Sequence, residues 1–231
     1  MLTLFDDLIQ TLFPSYCLGC RRAIPPKTTL CLHCLGELPA TNSHLSNSNP
    51  LVELLQQLAP ISYATSLFFF EQQGLVQQLI HQLKYMNREQ LGSLFGTQLG
   101  QKLSDSPFLS CDLVVPIPLH KRRHRQRGYN QVSRFGQRLA KQLQIEYVSQ
   151  NLIRKKATKT LVRLNAHQRI AQIKDAFSIV DTSVFAGKHL LLVDDVVTTG
   201  TTLSEAANCL LQIDGVQVSV ATIAFAKSPL P

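Results

Sequence analysis

Tryptophan is absent from the 231 residues, methionine occurs only twice, and charged side chains make up just 16% of the chain. The hydrophobic fraction of 45% is nevertheless that of a folded globular protein, and so few charges argue against extensive disorder. Acidic residues are also scarce, 15 against 23 lysines and arginines, which leaves a formal net charge of +8. This surplus favours polyanionic partners such as nucleic acid, phosphorylated metabolites or an anionic membrane surface, without choosing among them.

Long apolar runs are missing too, since none reaches the roughly 18–20 residues that a membrane-spanning helix needs. The first stretch, Met1–Phe13, contains Asp6 and Asp7 and lacks both a basic start and a small-residue cleavage site, which is not typical of a signal peptide. We therefore expect a cytoplasmic protein with no membrane span. The apolar residues of this stretch recur at helical spacing, which predicts a short helix packed on the body of the protein, with surface anchoring as the alternative.

Four of the six cysteines form two Cys-x-x-Cys pairs, Cys17 with Cys20 and Cys31 with Cys34. A chain without an export signal does not favour a disulfide framework, so metal binding is the better interpretation. Each pair directs two thiolates at one point, and two pairs complete a tetrahedral sulfur site that suits Zn²⁺. Because four protein ligands leave no open position, the predicted zinc is structural. Iron, a redox dithiol, or replacement of one ligand by His33 are the alternatives.

The sequence divides into a small module with its linker, residues 1–50, and a larger domain, residues 51–231. The paired cysteines and several prolines lie within residues 14–40, and the Ser- and Asn-rich stretch Thr41–Pro50 predicts a linker or exposed loop. From Ile61 onward strand-like and helix-like patterns alternate, and Leu190–Val193 is the clearest buried strand. This alternation predicts an α/β fold with a mainly parallel sheet flanked by helices.

The segment Leu190–Thr202 ends an apolar strand in two adjacent carboxylates, Asp194 and Asp195. Burying either acid without a partner would cost several kcal/mol. Both are therefore expected at the C-terminal edge of the sheet, where open α/β sheets bind their ligands. Carboxylates there suit the hydroxyls of a ribose and could also help to hold Mg²⁺, usually through water.

A threonine-rich loop follows the two acids and leads into a helix. Its small residues and single glycine let successive backbone N–H groups converge on an anion, and the threonine hydroxyls add further donors. The pattern Thr202-Leu-Ser-Glu205 is a capping box, which predicts that the helix begins there. Acids in front of such a cradle predict a sugar-phosphate site, whose phosphate-binding residues are Thr198, Thr199, Gly200, Thr201 and Thr202.

A second informative segment runs from Asp112 to Gln131, where an apolar strand leads through a Pro-x-Pro turn into a strongly basic loop. Such a density of positive charge repels itself, which predicts an anionic counterpart, either a pyrophosphate or a nucleic-acid backbone. A solvated loop without a ligand is the alternative. The candidate binding residues of this loop are Lys121, Arg122, Arg123 and Arg127.

Three segments, together with the paired cysteines, resemble the ComF/GntX family of competence-related proteins that are similar to type I phosphoribosyltransferases. They are Leu79–Tyr85, Val115–Gln131 and Leu190–Thr202, and the last resembles the signature for phosphoribosyl pyrophosphate (PRPP). The resemblance covers nearly the whole chain. It implies a type I phosphoribosyltransferase fold with a small zinc-ribbon-like N-terminal module, and PRPP with Mg²⁺ as the ligand. For the competence branch it also implies the handling of single-stranded DNA beside a helicase-like partner.

Two functions remain open at this point. One is a DNA-processing accessory protein that keeps the PRPP pocket as a binding or regulatory site. The other is an active phosphoribosyltransferase in nucleotide or cofactor salvage, in which Asp194 and Asp195 hold the ribose or the metal while the arginine loop neutralises the leaving pyrophosphate. Leu161 and Gln172 stand where the family usually has Gln and Asn, and these departures leave turnover open.

Overall fold

The computed structural model describes residues 14–155 and 176–226. The strands in these two ranges are β1 Ser15–Tyr16, β2 Ala23–Ile24, β3 Ala64–Phe69, β4 Leu113–Pro116, β5 Glu146–Tyr147, β6 Leu152–Arg154, β7 Phe177–Ile179, β8 His189–Val197 and β9 Gln217–Phe225. The helices are α1 Leu32–Gly36, α2 Pro50–Gln56, α3 Leu75–Tyr85, α4 Glu89–Leu103, α5 Lys121–Arg127, α6 Ser133–Leu143 and α7 Thr201–Leu210. Within the described ranges, no helix is both long and apolar enough to cross a membrane.

The centre of the fold is a five-stranded sheet in the order β3–β9–β8–β4–β5, with every neighbouring pair parallel. Leu190 of β8 pairs with Leu113 on one side and with Val218 on the other. The apolar run of β8 is buried from His189 to Val193, as expected for a parallel strand covered on both faces. The predicted α/β fold with a mainly parallel sheet is therefore confirmed.

Alternate residues of β8 supply two separate cores, because successive side chains of a strand point to opposite faces. Leu191 and Val193 pack with apolar residues of α3, α4 and α6, together with buried residues of the cysteine module. Leu190 and Leu192 pack on the other face with α2, α7 and the antiparallel β6–β7 pair. The same alternation fixes where the two acids that follow will point.

The Ser- and Asn-rich stretch that predicted a linker lies along the edge strand β3. Ser43 Oγ is 3.0 Å from Thr65 Oγ1 and accepts a bond from Ser66 N at 3.0 Å. Asn49 then caps α2, with its side-chain oxygen accepting from the N–H groups of Leu51 and Val52. This loop therefore ends in a helix that the sequence patterns did not predict.

The basic segment 121–127 is also helical, where the sequence predicted a loop. His120 caps α5, since its Nδ1 accepts from Arg122 N at 3.2 Å, and Gly128 ends the helix with φ +78°. Local caps at both ends thus outweigh the repulsion among the cations. The helix predicted in Met1–Phe13, and the family departures Leu161 and Gln172, lie outside the described residues.

Helices α4 and α6 approach closely at a glycine. A Cβ atom added to Gly96 would lie 2.3 Å from the carbonyl oxygen of Phe135 and 2.9 Å from Arg138 Cβ. A backbone carbonyl inside a helix cannot move aside easily, so this crossing admits no side chain at position 96.

We expect Gly96→Ala to lower the free energy of unfolding by about 1–3 kcal/mol, although alanine is the better helix former, because the extra methyl overpacks the α4–α6 contact. Urea unfolding of the zinc-loaded protein measures the change. Gly36→Ala is the matched control, since a Cβ at Gly36 meets nothing within 4 Å. A Gly96→Ala variant as stable as this control would contradict the packing.

Candidate sugar-phosphate site

The two adjacent acids at the end of β8 point to opposite faces of the sheet. Asp195 continues the face of Val193 and is buried, with 5% of its surface exposed. Asp194 continues the face of Leu192 and is partly exposed beside the threonine loop. The sequence predicted both acids in one ligand site, but the structure gives them different surroundings.

Asp195 is held by two side chains from distant parts of the chain. The Lys84 ammonium at the end of α3 lies 2.9 Å from Asp195 Oδ2, and Gln131 Nε2 donates to the same oxygen at 3.0 Å. The Lys84 side chain is 24% exposed, so the pair is largely shielded from water. Asp195 therefore has a protein counter-ion and a hydrogen-bond donor without any ligand.

Asp194 faces the threonine loop and is the more strongly perturbed acid. Its Oδ1 accepts from the backbone N–H of Asp195 at 2.8 Å. Burial, and then the neighbouring Asp195 charge, raise the pKa of Asp194 to about 7, although Lys84 and Arg154 act in the opposite direction. A cation or hydroxyl donor at this carboxylate would stabilise its ionised form, which makes Asp194 a candidate ligand-binding acid.

Arg154 of β6 lies on the same side of the sheet as Asp194. Burial and the charge of Arg123 lower the pKa of the Arg154 guanidinium, while Asp194 and Glu205 favour its charged form. Burial likewise raises the pKa of Glu205, against the effect of Arg154. The site thus includes a partly buried cation and a third acid that the sequence analysis did not select.

The threonine loop forms a small cradle of about 50 Å³ between the end of β8 and the start of α7. Helix α7 begins at Thr201 after Gly200, which has φ +76°. The capping-box prediction at Thr202 is therefore wrong: Gly200 is the N-cap residue, and Thr202 lies within the helix. A Cβ at Gly200 would also lie 2.9 Å from Leu55, so both backbone and space favour glycine there.

The cradle has the chemistry of an anion site. The first N–H groups of α7 have no partner within the helix, and the helix dipole favours negative charge at this end. Thr199 Oγ1 and Thr201 Oγ1 lie 2.9 Å apart and offer hydroxyl donors. The lining is completed by residues from the end of β8, the loop and the start of α7: Asp194, Val196, Val197, Thr198, Gly200, Thr202 and Leu203.

The basic helix α5 is linked to the acids through its last residue. Arg127 Nη1 donates to Gln131 Oε1 at 2.6 Å, and Gln131 in turn contacts Asp195. The Arg127 guanidinium also lies over the Tyr85 ring, 5.1 Å from its centroid. The remaining predicted cations, Lys121, Arg122 and Arg123, are exposed along the helix.

The four predicted cysteine ligands come together in the N-terminal module. Their sulfur atoms all lie within 4.8 Å of one another, and Cys20 Sγ is 3.7 Å from Cys31 Sγ. Cys17 Sγ accepts from Cys31 N at 3.2 Å and from Gly19 N at 3.4 Å. The cluster could hold a metal ion. His33 lies outside it, with Nδ1 3.9 Å from Glu37 Oε1.

The two buried thiols of the cluster, Cys17 and Cys34, have pKa values shifted in opposite directions. Burial raises the pKa of Cys17, but backbone N–H groups of Cys20, Cys31 and Gly19 outweigh it and hold the pKa at about 6. Burial and contacts with the other three sulfurs raise the pKa of Cys34. The N–H groups around Cys17 thus favour a thiolate, the form that binds metals.

Sequence reasoning did not find three of the residues that surround the acids. Lys84 ends an amphipathic helix, where a lysine is favourable for the helix dipole alone. Gln131 closes the Arg-Gly-Tyr-Asn-Gln motif, so its membership of that motif was the available signal. Arg154 had no local signal, because its position follows from the pairing of β6 with β7.

The chain is similar in sequence to a known protein family and to several named proteins. The family model described as phosphoribosyl transferase domain matches residues 133–230, which include both acids and the threonine loop. The chain is 34% identical to DNA utilization protein YhgH of Escherichia coli (strain K12) over 208 residues, covering 88% of this chain and 87% of the relative. It is 28% identical to Competence protein F of Haemophilus influenzae over 212 residues, with coverages of 88% and 87%. Competence protein ComFC of Bacillus subtilis is 29% identical over 123 residues, 50% of this chain and 45% of the relative.

We expect Lys84→Met to lower the free energy of unfolding at pH 7 by about 3 kcal/mol, because the variant leaves Asp195 buried without its counter-ion. The double variant Lys84→Met/Asp195→Asn should recover most of this loss, since no unpaired charge remains. Lys141→Met, at an exposed position of α6, is the matched control and should change stability by less than about 0.5 kcal/mol. Equal stabilities of Lys84→Met and Lys141→Met in urea unfolding would refute a structural role for the pair.

Proposed function

The chain belongs to the family that contains DNA utilization protein YhgH and Competence protein F, and from this premise we propose that it acts in DNA utilisation and uptake with a PRPP-binding site at Asp194–Thr202. The family resemblance noted in the sequence is thereby confirmed, and the chain carries a phosphoribosyl transferase domain. The observation that carries the site is the position of Asp194, a carboxylate beside a cradle of backbone N–H and threonine hydroxyl groups. The cradle suits the phosphate of a ribose phosphate, and the carboxylate suits its ribose hydroxyls.

In the proposed binding mode, different residues contact different parts of the ligand. The cradle of Thr198–Thr202 holds the 5′-phosphate, and Asp194 accepts from the ribose hydroxyls. Asp195 does not contact the ligand directly but fixes Lys84 and Gln131 beside it. The exposed cations of α5 neutralise the pyrophosphate or a nucleic-acid backbone.

Mg²⁺ fits this donor set through Asp194. The carboxylate is partly buried, and burial and the neighbouring Asp195 charge raise its pKa, so a bound cation would stabilise its ionised form. Asp194 would hold the ion, usually through water, and the ion would supply charge neutralisation for the pyrophosphate. Asp195 is already paired with Lys84 and is the less available acid.

For the cysteine cluster we propose a structural zinc. A tetrahedral site with Zn–S bonds of about 2.3 Å places its sulfurs about 3.8 Å apart, close to the 3.7 Å between Cys20 and Cys31. We retain residues 1–50 as the zinc module and residues 51–231 as the phosphoribosyltransferase-like domain. This boundary falls at the first residue of helix α2, Pro50–Gln56, which packs in the core of the larger domain. Reduced thiolates and a nucleotide precursor together suit a cytoplasmic protein.

The DNA role is supported by the net charge of +8 and by the exposed cations of α5. We propose single-stranded DNA as the polyanion, and a helicase-like competence protein as a further partner. Binding through phosphate contacts would weaken steeply as salt rises, because counterions are released.

Titration of the wild-type protein with PRPP and Mg²⁺ by calorimetry tests the sugar-phosphate site. A carboxyl with a pKa of about 7 is about one-tenth ionised at pH 6 and about nine-tenths at pH 8. We therefore expect the affinity to rise about tenfold over this range. Asp194→Asn should bind weakly and lose the extra pH dependence, whereas Asp105→Asn, at an exposed acid, should behave as wild type. Failure of the folded wild type to bind at pH 8 would rule the site out.

Zinc content tests the metal proposal separately. Wild-type protein should contain about one zinc per chain by mass spectrometry, and Cys20→Ser/Cys31→Ser should contain almost none. Cys209→Ser alters a cysteine outside the cluster and should keep the metal. Iron in place of zinc, or metal retained in the double variant, would contradict the proposed centre.

A further inference from the structure

A groove of about 960 Å³ separates the cysteine module from helix α3. The module forms one wall with Tyr16, Arg21 and neighbouring residues, and α3 with the start of α4 forms the other with His81 and Arg88. Gln82 Nε2 donates to Leu18 O at 2.7 Å and joins the two walls. We propose that this groove, continued past Tyr85 onto α5, binds single-stranded nucleic acid. The proposal rests on the DNA role proposed above and identifies the surface that would bind the DNA.

The charge of the groove suits a phosphate backbone. Arg21 and Arg88 line it from opposite walls, and no aspartate or glutamate is among its described lining residues. The next acid along the chain, Glu89, is engaged by Arg134, whose Nε lies 3.2 Å from Glu89 Oε2. The remaining polar lining is mainly glutamine, serine and threonine, which can donate to phosphate and sugar oxygens.

Two exposed aromatic rings belong to this surface. Tyr16 is 57% exposed and Tyr85 is 61% exposed, and among the described residues they are the two exposed large hydrophobic side chains that are aromatic. The chain has 11 phenylalanines, and none of those described is in that exposed set. Rings left in water beside arginines are the stacking platforms that single-stranded nucleic acids use, whereas a duplex hides its base faces.

Direct contacts join the groove to the basic helix. His81, which lines the groove, contacts Tyr85 with 4.8 Å between ring centroids and 44° between the ring planes. Tyr85 in turn lies under the Arg127 guanidinium, 5.1 Å from its centroid. We call Tyr16, Arg21, His81, Tyr85, Arg88 and Arg127 the basic–aromatic track.

The track explains what the cysteine module contributes. Arg21 follows directly after Cys20, and its N–H donates to Cys17 O at 2.9 Å in a turn that gives Arg21 a φ of +62°. The turn that brings two cysteines into the cluster therefore also sets the position of Arg21. The module builds one wall of the track, which is a role beyond local stability.

Fluorescence anisotropy with a labelled oligothymidylate of about 20 nucleotides, longer than the usual site size of a single-strand binding fold, tests the track. The charge variant is Arg21→Gln/Arg88→Gln. We expect its salt dependence, the slope of log K against log salt, to be shallower by about 1.4, since each phosphate contact on a single strand contributes about 0.7. The aromatic variant is Tyr16→Leu/Tyr85→Leu. It should bind at least about thirtyfold more weakly, because each of the two lost stacks costs about 1 kcal/mol or more.

The control variant is Arg138→Gln/Lys141→Gln, which removes the same charge from the exposed face of α6 and should bind within about twofold of wild type. Zinc content and melting temperature establish that each variant is folded. Track variants that bind like this control, while wild type binds well, would overturn the track and leave the DNA role intact. A wild type that does not bind would overturn the DNA role itself. Equal competition by a duplex of the same length would overturn the stacking assignment.

Discussion

The Lys84–Asp195 pair, with 2.9 Å between the ammonium and the carboxylate, joins parts of the chain that are far apart in sequence. A buried strand that ends in two acids needs a counter-charge, because an unpaired buried carboxylate is costly. Lys84 supplies that charge from the end of α3, and Gln131 adds a hydrogen bond from the segment after α5. The end of β8, the end of α3 and the Arg127–Gln131 segment are thereby fixed relative to one another.

This constraint separates the roles of two adjacent acids. Asp195 is paired with protein groups, whereas Asp194 lines the cradle, and on this basis we propose Asp194 as the ligand-binding acid. The same contacts continue outward from Asp195 through Gln131 to Arg127 and Tyr85. A continuous set of side-chain contacts therefore runs from Asp195, next to the proposed PRPP site, to Tyr85 of the proposed nucleic-acid track.

The sequence predicts those features that depend on neighbouring residues. The apolar run Leu190–Val193, the paired cysteines and the acid–threonine segment all carry local patterns, and the structure has the strand, the sulfur cluster and the cradle. Helix α5 was missed because its formation depends on caps at His120 and Gly128 that outweigh the repulsion among its cations. The start of α7 was misplaced because Gly200 adopts a left-handed conformation, which a matching capping-box pattern does not reveal. The partner of Asp195 could not be predicted from local patterns, since Lys84 reaches it only through the tertiary fold.

Asp194 and the threonine loop are proposed to bind a ribose phosphate. Hydrogen exchange of the zinc-loaded protein at pH 8, with and without PRPP and Mg²⁺, reports which backbone N–H groups the ligand protects and so tests this binding at the level of single segments. We expect slower exchange across Thr198–Leu203 on binding in the wild type, and no such change in Asp194→Asn. Slower exchange confined to other segments, with Thr198–Leu203 unchanged in the ligand-bound protein, would contradict this proposal.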